Sequence, residues 1–150
     1  LSREPIQLRV VNEDDCADVF QWRNHEETRK YFFDTSLVTW ENHCKWFSEK
    51  LSDENCIFLV GLVEDNPIGT LRYELKDNCA TVSVYLLPDM HGYGYGAELL
   101  RQGSSWLLLH KPEIKNLKAE VLTANISSIR TFYNAGFSDF AMTFNKDLDK

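Results

Sequence analysis

The chain has 150 residues, 43% of them hydrophobic and 13% aromatic, with 16 basic and 23 acidic side chains and a net charge of -7 at neutral pH. This aromatic content excludes a disordered chain, and no apolar run reaches the roughly 20 residues of a membrane helix. The acidic balance argues against nonspecific binding to nucleic acid or to an anionic membrane, both of which demand a basic face.

In chain order, residues 6–11 alternate and predict a strand. Asn12 ends it and caps a helix whose first turn is acidic (Glu13, Asp14, Asp15) and which runs to about Arg23. From 24 to 38 no period holds, and Tyr31, Phe32 and Phe33 interrupt a charged stretch, so a loop or broken helix is expected. Thr39 then caps a helix in which Trp40, His43, Cys44, Phe47 and Leu51 recur with helical spacing. Strands follow over 57–63, 68–75 and 80–86, joined by Glu64-Asp65-Asn66-Pro67 and Lys76-Asp77-Asn78, whose turn chemistry predicts an antiparallel meander. A helix over 94–109 puts Ala97, Leu100, Ser104, Leu107 and Leu108 on one side, with Gly103 beside them. A strand over 117–122, a short helix opened by Asn125 and closed by Gly136, and a last strand or pair over 137–145 complete the order. One domain over residues 1–150 is expected, since a chain of this length buries roughly two-thirds of its unfolded surface.

Three alternate glycines in His91-Gly92-Tyr93-Gly94-Tyr95-Gly96 lie between a strand and a helix. Such a loop presents unpaired N–H groups, aided by the helix dipole, to an anion such as a pyrophosphate. A P-loop would need a Gly-Lys pair, which is missing. Gly92, Gly94 and Ala97 satisfy a dinucleotide fingerprint, but that motif needs more chain than follows here. The segment resembles a third pattern, the coenzyme A loop of the GNAT superfamily of N-acetyltransferases, with Pro88, His91, Gly94 and Gly96 on its positions. Residues 125–137 resemble the family's second motif, an Asn, a small residue three on, an apolar-Tyr pair and a closing Gly-Phe.

The resemblance covers nearly the whole chain and implies an α/β fold (α+β by some schemes): a mixed, mostly antiparallel sheet of about six to seven strands flanked by about four helices. It implies acetyl-CoA as co-substrate, its pantetheine arm along the strand ending at Leu86 and its pyrophosphate on the N–H groups of His91, Gly92, Tyr93, Gly94, Tyr95 and Gly96. Asn125 caps the helix and on this resemblance also contacts the amide arm, though capping alone accounts for it equally well. Tyr133 falls where many members keep the tyrosine that protonates the leaving thiolate. His91 departs from the usual Arg or Gln and offers the phosphates less charge. The strand before the loop carries no carboxylate, so a water relayed through Ser83 or through backbone carbonyls is the expected base, with His25, Glu26 and Glu74 as titratable alternatives.

The run Phe20-Gln21-Trp22-Arg23-Asn24-His25 narrows the acceptor. It resembles acetyltransferases acting on nucleotide-linked 4-amino-sugars in pseudaminic and related nonulosonic acid biosynthesis. On that resemblance Arg23 pairs with a phosphate, Trp22 or Trp40 stacks on sugar or base, and Asn24 and His25 bond hydroxyls. Some such enzymes are joined to a sugar-nucleotide hydrolase, so a fused or partner enzyme is expected, and a start at Leu1 fits a domain cut from a longer polypeptide. Two other readings stay open: a protein N-terminal acetyltransferase of the ribosomal-protein type, and a noncatalytic acyl-CoA-binding module. Cys16, Cys44, Cys56 and Cys79 have neither C-x-x-C spacing nor a nearby histidine pair. They read as reduced thiols of a cytoplasmic protein, and no metal is expected.

Overall fold

The computed structural model describes residues 5–149. Five strands, β1 (Gln7–Val10), β2 (Cys56–Val63), β3 (Asn66–Lys76), β4 (Cys79–Leu86) and β5 (Asn116–Lys118), form one sheet in that spatial order. Turn chemistry builds its centre. Glu64 and Asp65 carry φ of 49° and 66°, and Asp77 and Asn78 carry 53° and 46°. Two successive left-handed residues are what a two-residue hairpin needs to match the twist of its strands. β1, β2, β3 and β4 therefore pair antiparallel, while β5 returns parallel to β4.

The helices are α1 (Cys16–Asn24), α2 (Glu26–Arg29), α3 (Trp40–Ser52), α4 (Tyr95–His110) and α5 (Ile126–Asn134). Asn12 and Asp15 form a capping box over a short 3-10 turn ahead of α1, and Arg9 grips both Asp15 oxygens at 2.8 and 3.0 Å. That guanidinium holds the Asp15 carboxyl below the usual carboxylate range. Thr39 caps α3 by accepting from the Asn42 N–H at 3.2 Å. Leu59, Leu71, Tyr73 and Val82 are buried in one cluster with Leu99, Leu100 and Leu107 of α4 and Phe132 of α5. Phe58 and Val60, whose side chains alternate to the other face, cluster with Val11, Val19 of α1 and Phe47 of α3.

Three expectations are corrected. The sheet has five strands among the described residues, because β5 is three residues long rather than spanning 117–122, and 137–145 contains no strand. The β4–β5 register ends at Thr81 and Lys118, after which the chain leaves the sheet for the Asn125 cap and offers no continuous edge to pair against. Phe140, Met142 and Phe144 are accordingly exposed. The helices number five rather than about four, because the segment expected as a loop or broken helix holds the short α2, capped by the His25 ring with Nδ1 accepting from the Glu27 N–H at 3.1 Å. In α4 the buried row is Gly96, Ala97, Leu99, Leu100, Gly103 and Leu107, and Leu108 faces out. The turn from residue 96 to 107 sets that phase, so Leu99 takes the inward place assigned to Leu108.

Candidate active site at the open end of the fourth strand

β4 pairs with β5 only from Cys79 to Thr81, so its outer edge over residues 82–86 has no strand beside it. α5 begins opposite this free edge, capped by Asn125, whose side chain accepts from the Ser128 N–H at 3.1 Å. Between them runs a cleft lined by Val84, Tyr85 and Leu86 from β4, by Asn125, Ser127, Ser128 and Thr131, and by Gly96 and His91. Thr28, Tyr31 and Phe32 close it from the α2 side.

At the mouth of the cleft the chain turns into α4. Gly94 is the N-cap with φ of 78°, a conformation that a Cβ would strain. A Cβ on Gly96 would stand 2.9 Å from Thr131 Cγ2, so the glycine lets α4 approach α5. The first backbone bond of α4 runs from the Glu98 N–H to the Gly94 carbonyl. The N–H groups of Tyr95, Gly96 and Ala97 have no carbonyl one turn before them, and with the helix dipole they suit a negatively charged group.

A second cleft adjoins the first, lined by Arg23, Phe32, Asp34, Ser36 and Val38. Phe32 lines both, its ring meeting that of Tyr85 edge-on at 5.7 Å. The 24–38 segment is tied down by Asn24, which donates to the Val38 carbonyl at 2.8 Å and accepts from its N–H at 2.9 Å. Arg29 adds bonds to the Asn24 and Thr35 carbonyls. Asp34 accepts from the N–H and hydroxyl of Ser36, which holds its carboxyl below the ordinary range.

Charge in this second region is unbalanced. Arg23 is half-buried and lies over the Trp46 ring at 4.4 Å, with Arg72 over the same ring at 5.2 Å. Arg72 and Lys50 share Glu74 at 3.2 and 2.7 Å, whereas Arg23 makes no ion pair among the described residues. Three cations thus stand near two carboxylates, Glu74 and Asp34, on a protein of net charge -7. Burial lowers the Arg23 pKa, since desolvation penalises its charge.

Of the residues singled out in the sequence, the structure brings Leu86, His91, Gly96 and Asn125 to the first cleft and Arg23 to the second. Gly92, Tyr93 and Gly94 form the loop at the mouth, Tyr95 opens α4, and the His91 ring lies 5.6 Å from that of Tyr31. Others are placed elsewhere. Tyr133 is exposed and donates its hydroxyl hydrogen to Asp139, two residues, and so about 200°, round α5 from Thr131. The Asp139 carboxylate raises the Tyr133 pKa. Ser83 lines neither cleft and faces Arg72 at 3.5 Å. Trp22 packs on the Val19 and Phe47 cluster, Trp40 meets Phe20 edge-on at 5.1 Å, His25 caps α2, and Asn24 spends its amide on Val38. Glu26 sits in the first turn of α2, and Glu74 is tied up by Lys50 and Arg72.

Four residues emerged only from the tertiary structure: Thr28, Phe32, Asp34 and Tyr85. The Tyr85 hydroxyl is buried and makes no well-formed hydrogen bond, with Thr70 its neighbour across the strands. Burial pushes its pKa up to about 12. Its place on the alternating face shared with Ser83 was visible in the sequence; the rest lie in a segment without a period.

The sequence matches the family model described as acetyltransferase (GNAT) domain over residues 6–138. No curated protein matches it. Among solved structures, the aminoglycoside acetyltransferase AAC(6')-Ib in complex with ribostamycin and coenzyme A superposes with a TM-score of 0.79 at 20% identity, covering 90% of this chain and 84% of its own. The spermidine N-acetyltransferase from Vibrio cholerae in complex with CoA and spermine gives 0.81 at 15%, covering 91% and 82%. A domain from Methanocaldococcus jannaschii gives 0.79 at 22%, covering 92% and 91%. At these identities the likeness is one of fold.

Proposed function

Because the chain belongs to the GNAT acetyltransferase family, we propose that it carries the acetyl group of acetyl-CoA to the primary amine of a nucleotide-linked 4-amino-sugar. The donor supplies a thioester, whose acyl carbon a neutral amine attacks as the carbon–sulfur bond breaks. The first cleft fits such a donor: a free strand edge for an amide arm, a left-handed glycine turn, and helix N–H groups at one end for phosphates.

One observation carries the choice of acceptor. Arg23 is a half-buried guanidinium that opens on the second cleft and makes no ion pair among the described residues, although the Asp34 carboxylate lines the same cleft. A diphosphate meets that need through paired charge-assisted hydrogen bonds. The excess of cations around Trp46 repels a polycation such as spermine or ribostamycin. Asp34, held ionised by Ser36, accepts an N–H of the acceptor amine across the same cleft. Water open to this exposed loop takes the proton the nitrogen loses, and the thiolate, with a conjugate acid near pKa 8.5, takes one back from solvent.

The test is thiol release from acetyl-CoA with a UDP-4-amino-sugar, spermidine and a basic peptide offered separately. Fastest turnover with the sugar nucleotide supports the proposal. Turnover of the peptide alone rejects the sugar in favour of a protein N-terminal acetyltransferase, and binding of acetyl-CoA without turnover of any amine favours a noncatalytic module.

A further inference from the structure

Resting on acetyl-CoA as the occupant of the first cleft, we propose that the Tyr85 side chain is a hydrogen-bond donor to the acyl oxygen of the bound thioester.

Among the described residues, four buried side-chain polar atoms lack a partner: Thr28 Oγ1, His43 Nδ1, and the hydroxyls of Tyr73 and Tyr85. Two of them belong to Thr28 and Tyr85, residues that line this one cleft although they come from α2 and β4. A buried hydroxyl left without a partner costs on the order of 1–3 kcal/mol. Two such groups converging from separate elements mark a place where a ligand completes the bonding.

Position selects which part of the ligand. Tyr85 adjoins Leu86 on the free edge of β4 and lines the first cleft but not the second, whereas Arg23 lines the second but not the first. Phe32 stands between the two clefts with its ring against Tyr85. A donor entering from the α4 turn has its acyl end at that junction, where an acceptor held by Arg23 meets it. The acyl oxygen accepts hydrogen bonds and gathers negative charge as nitrogen attacks, so a neutral O–H fixed beside it acts in the transition state. Burial keeps the phenol protonated throughout the neutral range, and Tyr85 remains a donor rather than a base.

Calorimetry with acetyl-CoA and with coenzyme A, which lacks the acyl group, separates this role from general packing. Tyr85→Phe is expected to raise the ratio of the acetyl-CoA Kd to the coenzyme A Kd by about 3–10-fold, the worth of one hydrogen bond. The infrared thioester carbonyl band of the bound donor should shift to higher frequency in the variant. Incorporation of 3-fluorotyrosine at position 85, which preserves shape and strengthens the donor, should move both readouts the opposite way and serves should the Phe variant fold poorly. An unchanged ratio and an unshifted band in a folded protein overturn the proposal while leaving the cofactor assignment intact. If wild-type protein binds neither coenzyme A nor acetyl-CoA, the assignment and the proposal both fall.

Discussion

The hydroxyl of Tyr133 donates to the carboxylate of Asp139 across the turn that closes α5, on the side of that helix away from Thr131 and the cleft. Its family position suggested the acid that protonates the leaving thiolate, yet here a neighbouring anion already holds that proton and raises the pKa of the phenol. Tyr133→Phe is therefore expected to change kcat by less than about 10-fold, below the roughly 100-fold that loss of a general acid produces. Steady-state turnover with saturating acetyl-CoA checks this, and a fall of the larger size would mean that the side chain swings into the cleft during the reaction.

His91 lines the cleft beside α4, but the first-turn N–H groups are the fixed donors there. His91→Gln should leave the KM for acetyl-CoA within about 3-fold at pH 8, because those backbone donors remain in the variant. A larger rise would give the ring itself the phosphate contact.

Gly94 holds φ of 78° at the start of α4. Gly94→Ala strains the turn by about 1 kcal/mol or more and tilts the N–H groups that follow it. Calorimetry should show weaker binding of acetyl-CoA and of coenzyme A by equal factors, because the loop meets the part they share.

Among the described residues Arg23 makes no ion pair, so its removal breaks no bridge seen there. Arg23→Gln should raise the KM for a UDP-4-amino-sugar by about 10–100-fold, the worth of a lost charged hydrogen bond, while the KM for acetyl-CoA stays put. Equal effects on both constants would count against a phosphate contact.

His43 is fully buried among Phe20, Trp40, Trp46 and Phe47, with Nε2 2.9 Å from the Cys16 carbonyl. Burial lowers its pKa from 6.5, so the native ring stays neutral at a pH where the unfolded one binds a proton. The stability this group supports is present above about pH 6.5 and is lost as pH falls below it. The thermal midpoint should drop between pH 7.5 and pH 5, and by less in His43→Leu. An identical drop in both proteins would place the acid sensitivity elsewhere, for instance at Asp15.

Local signals carried much of the fold. The Asn12, Thr39 and Asn125 caps, the two acidic hairpin turns and the glycine loop are all short-range, because a cap or turn needs only its own few residues to choose a backbone conformation. Those elements, their order, and the contacts of His91, Gly96 and Asn125 with one cleft were legible before any coordinates.

What the sequence alone determined, then, was most of the succession of elements and the glycine turn into α4, since propensity and periodicity act within a few residues. Tertiary structure decided where the sheet stops pairing, which side of α5 Tyr133 occupies, and which of the early polar residues face a cleft. Three of these partners are distant in the chain, Lys118 for the end of β4 pairing, Val38 for Asn24 and Trp46 for Arg23, and the fourth, Asp139 for Tyr133, lies six residues on, beyond the end of α5. No local pattern encodes such a partner, because a side chain's direction is fixed by the packing of the elements that carry it.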